Sequence, residues 1–70
     1  MYSIAVFKSA REAIKADKVC RDNNLNTRVI PVPKHISSEC GMCLRLLSAE
    51  ADKVKELIEE NNIKVTIYND

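Results

Sequence analysis

Glycine is almost missing from this chain, with one residue in 70, Gly41. That excludes a glycine-rich phosphate loop and suits regular helices and strands. Charge of either sign in excess is also missing: eleven Lys and Arg stand against ten Asp and Glu, a net of +1. Nothing in that balance points to nucleic acid or to an anionic membrane. No apolar run approaches the roughly 18 residues a membrane span needs. Met1 to Phe7 lacks the basic start, long apolar middle and small-residue cleavage site of a signal peptide. No carboxylate pair and no Ser-His-Asp set is visible. Three cysteines is an odd number, unlike the disulfide framework of a small secreted domain. In a reducing compartment such cysteines serve as metal ligands, reactive thiols or buried filler, so the expected location is cytoplasmic.

Hydrophobic residues make up 46% of the chain, and they fall in short periodic runs. The length fits a single domain over residues 1–70 with a thin core and no deep substrate cavity. Ser3 to Phe7 has the pattern of a strand. Ser9 and Glu12 form a capping box that opens a helix, with Ala10, Ala13, Ile14, Ala16, Val19 and Cys20 at helical spacing. Asn23 and Asn24 end it, because Asn tolerates the left-handed cap. Val29 to Val32 is a second strand, and Pro31 within it favours a sheet edge. Residues 33–39 form a loop, followed by a strand over Met42 to Leu47. There Met42, Leu44 and Leu46 point one way, and Cys43, Arg45 and Leu47 the other. A second helix begins at or just after Ser48, with Ala51, Val54, Leu57 and Ile58 as its apolar stripe. Asn61 and Asn62 end it, and Ile63 to Tyr68 is the last strand.

The chain also repeats weakly: Asp22-Asn23-Asn24-Leu25 precedes one strand, Glu60-Asn61-Asn62-Ile63 another. Two β-α-β halves predict an α+β, ferredoxin-like β-α-β-β-α-β domain. Its four-stranded antiparallel sheet has spatial order 4-1-3-2 and carries both helices on one face. The other face is left for solvent or a partner.

Any chemistry concentrates on Cys40-Gly41-Met42-Cys43. Two thiols three residues apart can share a metal, form a disulfide, or act as attacking and resolving groups. Cys40 ends a loop beside the one glycine, in a stretch where Arg28, Lys34 and Arg45 face Glu39 alone. Nearby cations favour thiolate. Cys43, on a strand, could resolve a bond on Cys40 or fill space as a small hydrophobe. Cys20 belongs to the helix packing face. His35 has no neighbouring carboxylate to orient it as a base. Arg45 on a middle strand must be exposed or paired, and if exposed could bind an oxyanion or steady a thiolate.

The run Val29-Ile30-Pro31-Val32-Pro33-Lys34-His35-Ile36-Ser37-Ser38-Glu39-Cys40-Gly41-Met42-Cys43-Leu44-Arg45 resembles the signature of the Se/S carrier protein-like family, short bacterial domains otherwise of unknown function. The shared pattern is Pro-x-Pro with a basic residue, an Ile-Ser segment, Cys-Gly, then an Arg on the next strand. The resemblance implies that Cys40 is the carrier cysteine, with Gly41, Pro33, Lys34, Ser37, Ser38 and Arg45 around it. Cys43 departs from that pattern and leaves a dithiol mechanism open.

Three functions remain at this point. The first is a sulfur or selenium carrier, closer to a carrier protein than to an enzyme. It takes a chalcogen on Cys40 as a persulfide or selenenylsulfide from a donor such as a cysteine desulfurase, and passes it to an acceptor protein in sulfur or selenium metabolism. The second is a metal-binding module holding Cu(I) or Zn(II) through Cys40 and Cys43, with or without His35. The third is an interaction domain using its open sheet face, with a homodimer as one arrangement. The carrier reading expects no resident cofactor and no metal, and no nucleic-acid or membrane partner.

Overall fold

The computed structural model describes residues 1–35 and 41–69. Its elements run β1 (Tyr2–Val6), α1 (Ala10–Asp22), β2 (Thr27–Pro31), β3 (Met42–Leu47), a 3-10 turn (Ser48–Glu50), α2 (Ala51–Glu60) and β4 (Thr66–Asn69). The strands form one antiparallel sheet in the order β2-β3-β1-β4. This is the expected 4-1-3-2 order read from the opposite edge. Pro31 lies on an edge strand, as its missing N–H requires.

Each helix start and stop has a local cause. Ser9 Oγ accepts the Glu12 N–H at 3.3 Å, capping α1. The two Asn-Asn pairs close α1 and α2 in the same way. Leu25 N–H bonds the Cys20 carbonyl at 2.9 Å and Asn24 N–H the Arg21 carbonyl at 3.0 Å. Ile63 N–H reaches the Ile58 carbonyl at 3.3 Å and Asn62 N–H the Glu59 carbonyl at 3.0 Å. These are Schellman caps, with Asn24 and Asn62 both at φ 61° and the following Leu25 and Ile63 buried. The Asn23 and Asn61 side-chain amides donate back to the Val19 and Leu57 carbonyls at 2.8 and 2.9 Å. The sequence repeat is thus a repeated helix stop. Because Ile63 is used by that stop, β4 begins at Thr66 and not at Ile63.

Ala5, Leu44 and Leu46 from the sheet join Ala13, Ala16, Cys20, Val54 and Ile58 from the helices in one buried core. Alternation along the strands therefore places both helices on a single face. Leu44, Leu46, Val54 and Ile58 are fully buried, and each contributes about 2 kcal/mol of hydrophobic stabilisation. Small alanines bring α1 close to the sheet. Ile14, expected on this stripe, is instead 60% exposed, because Ala13 and Ala16 set the buried direction. Two polar links tie the layers. Thr27 Oγ1 donates to Asp17 Oδ1 at 2.7 Å, and Ser3 Oγ meets Ser48 Oγ at 2.8 Å. Arg21 Nε holds the other Asp17 oxygen at 3.0 Å. No helix among the described residues is long and apolar enough to cross a membrane.

The face away from the helices is not uniformly open. Ile4 (2% exposed) and Cys43 (0%) form a second buried cluster there, flanked by Val6, Ile30 and Val32.

Candidate functional site

The helix-free face is laid out by strand register. Val6, Cys43 and Ile30 make one row across β1, β3 and β2. The next row, two residues along each strand, holds Tyr68, Ile4, Arg45 and Arg28. Beyond it Tyr2 stands across from Leu47. At the other end Val32 N–H donates to the Gly41 carbonyl at 3.1 Å. That bond joins the two ends of the 33–40 segment.

Of the residues singled out in the sequence, Cys40 lies outside the described residues, as do Ser37 and Ser38. Gly41 is exposed with φ +72°, and a Cβ placed on it would meet nothing within 4 Å. Its glycine identity answers a backbone requirement and not a close approach. Cys43 is buried, and its Sγ donates to the Pro31 carbonyl oxygen at 3.8 Å. Lys34 and His35 are exposed.

Arg45 shares the sheet face with Cys43. Its guanidinium carbon sits 4.5 Å from the centroid of the Tyr2 ring, a cation–π contact. The side chain therefore leans toward the Leu47 end of β3 and away from Gly41. Leu47 is six residues from Gly41, roughly 20 Å of strand. Face parity along β3 was readable from the sequence, since Cys43, Arg45 and Leu47 alternate with Met42, Leu44 and Leu46. The Tyr2–Arg45 contact and the Arg28–Arg45 pairing were not, because only register brings them together.

Cys20 and Cys43 are both thiols. Cys20 lies in the main core, where burial first, and then the negative charges of Asp17 and Glu50, push its thiol from 9.0 up to about 11. It is a packing residue and a poor nucleophile at neutral pH. Among the described residues no three His, Cys, Asp or Glu side chains gather as a metal-ligand group. The Cys40, Cys43, His35 trio turns on Cys40, outside those residues.

Comparison with known proteins gives one match. The model of a protein family described as Putative Se/S carrier protein-like matches residues 2–69, nearly the whole chain. No curated protein and no solved structure matches.

Proposed function

The chain belongs to the Se/S carrier protein-like family, and from that premise we propose that it carries one sulfur or selenium atom on Cys40 between two partner proteins. The observation that bears most weight is the family match over residues 2–69, combined with the Cys40-Gly41 pair. The geometry at Gly41 supports it. Gly41 is exposed and carries no side chain, so this residue adds no steric shield beside the cysteine that precedes it in sequence.

The exchange balances without an external oxidant. The Cys40 thiolate attacks the terminal sulfur of a donor persulfide, R–S–SH. An S–S bond forms on Cys40 as the donor's own S–S bond breaks, and R–S⁻ leaves with the electron pair. The selenium case is the same with R–S–SeH as donor. Delivery repeats the step, with an acceptor thiolate attacking the outer atom on Cys40. Such exchange runs at a rate set by the attacking thiolate and its access, and needs a docking face more than a pocket.

Two versions separate at Cys43. In a one-thiol carrier Cys43 is packing, which its complete burial among Ile4, Val6, Ile30 and Val32 supports. In a dithiol version Cys43 attacks the inner sulfur of the Cys40 adduct, releases hydrosulfide or selenide, and leaves a Cys40–Cys43 disulfide. A dithiol reductant must then reset the protein. Intact mass of freshly purified protein, with and without reductant, tests the proposal. A reductant-labile increment of about 32 mass units for sulfur, or about 80 for selenium, mapped to Cys40, is the expected result. A metal adduct on Cys40 and Cys43 in its place would overturn it.

A further inference from the structure

Arg28 and Arg45 are direct partners across the β2–β3 ladder, so both side chains rise from the same sheet face. The ladder alternates, and Pro31, which has no N–H, occupies a position facing Met42. Val32 bonds Gly41, so positions 30/43 and 28/45 are the hydrogen-bonded pairs. At such a pair the Cα atoms are about 5.5 Å apart. Like charges directly opposite each other on a sheet face are destabilising. Among the described residues no carboxylate forms an ion pair with either arginine. Asp17 is committed to Arg21 and Thr27, and Glu50 accepts the Asn26 backbone N–H at 3.4 Å. A depression of about 410 Å³ at this end of the sheet is lined by both arginines with Tyr2, Asn26, Thr27 and Leu47. Tyr2 holds the Arg45 guanidinium in place from one side.

We infer that this depression is a binding site for a tetrahedral oxyanion of the phosphate class. Two arginines from directly paired positions, both lining the depression, offer it two planar forks and two positive charges. A carboxylate has one charge and two oxygens, and satisfies a single fork. A phosphate carries between one and two negative charges near neutral pH and enough oxygens to meet both. The bound anion removes the Arg–Arg repulsion, so the site is most complementary when filled. It stands two residues along β3 from Cys43 and does not depend on the carrier chemistry.

The test is an amide and arginine side-chain NMR titration of the full chain with inorganic phosphate, at ionic strength held constant with chloride. A second arm uses a phosphate monoester. Saturable shifts centred on Tyr2, Asn26, Arg28 and Arg45 are expected. Arg28→Gln and Arg45→Gln should each weaken binding roughly tenfold or more, since each removes charged hydrogen bonds. Arg28 is exposed, and its variant should keep the native spectrum of core residues, so loss of binding there is not loss of fold. Tighter binding of the monoester assigns the site to the headgroup of a larger ligand, and equal binding assigns it to the free ion. Cys40→Ser should bind phosphate as the wild type does, which separates this site from the carrier proposal. Non-saturable shifts, or shifts unchanged in Arg28→Gln, would overturn the inference.

Discussion

The Cys43 Sγ donates to the Pro31 carbonyl oxygen at 3.8 Å, from a strand position with no solvent exposure. A thiol so placed is reached by reagents only when the sheet face opens locally. Iodoacetamide should label Cys43 slowly in the native protein and rapidly in urea. Cys43→Ala should cost about 1 kcal/mol, the typical loss for shortening a small buried side chain. Urea unfolding measures the cost, and peptide mapping the labelling. Native labelling of Cys43 as fast as in urea would contradict its burial.

Cys20 gives the fold a pH signature. Its folded value near 11 is above the ordinary 9.0, so folding favours the protonated thiol. That contribution is complete below about pH 9 and is lost as the pH rises toward 11. Cys20→Ala has no such group. Between about pH 8 and about pH 10.5 the wild type should lose up to ~2 kcal/mol more stability than the variant. Urea midpoints of both proteins across that range decide the matter. Parallel curves would mean that the Cys20 environment is not as described.

The two Schellman caps make a paired prediction. Asn24 and Asn62 both hold φ 61°, a conformation that costs an L-residue with a plain Cβ about 1 kcal/mol. Asn24→Ala and Asn62→Ala should each destabilise by about that amount. Asn24→Gly and Asn62→Gly should be close to neutral, since glycine adopts the conformation without strain. Thermal melts of the four variants test it. Equal losses for Ala and Gly would point to side-chain bonding by Asn and not backbone angle as the cause.

The fold was legible where local chemistry acts alone. Ser9 with Glu12 and the two Asn-Asn stops mark helix boundaries through their own backbone preferences, Pro31 marks a sheet edge, and the β-α-β order follows from the periodic runs between them. Boundaries blurred where tertiary packing intervenes. Ile14 looked apolar enough to be core but points outward, and Ile63 belongs to a helix stop before it can belong to a strand. The site was legible in part. Alternation placed Cys43 and Arg45 on one face, but pairing register decides that Arg45 meets Arg28 and Tyr2. The burial of Cys43 depends on Ile4 and Ile30, which are distant in sequence.

The most direct measurement of the central claim is sulfur loading by a cysteine desulfurase supplied with cysteine. Wild-type protein and Cys40→Ser, Cys43→Ser and Cys20→Ser variants would be compared by intact mass and peptide mapping. The wild type should gain a reductant-labile sulfur on Cys40, Cys20→Ser and Cys43→Ser should load to the same extent, and Cys40→Ser should not load. Accumulation of loaded protein only in Cys43→Ser would select the dithiol version. Loading that survives Cys40→Ser would contradict the account.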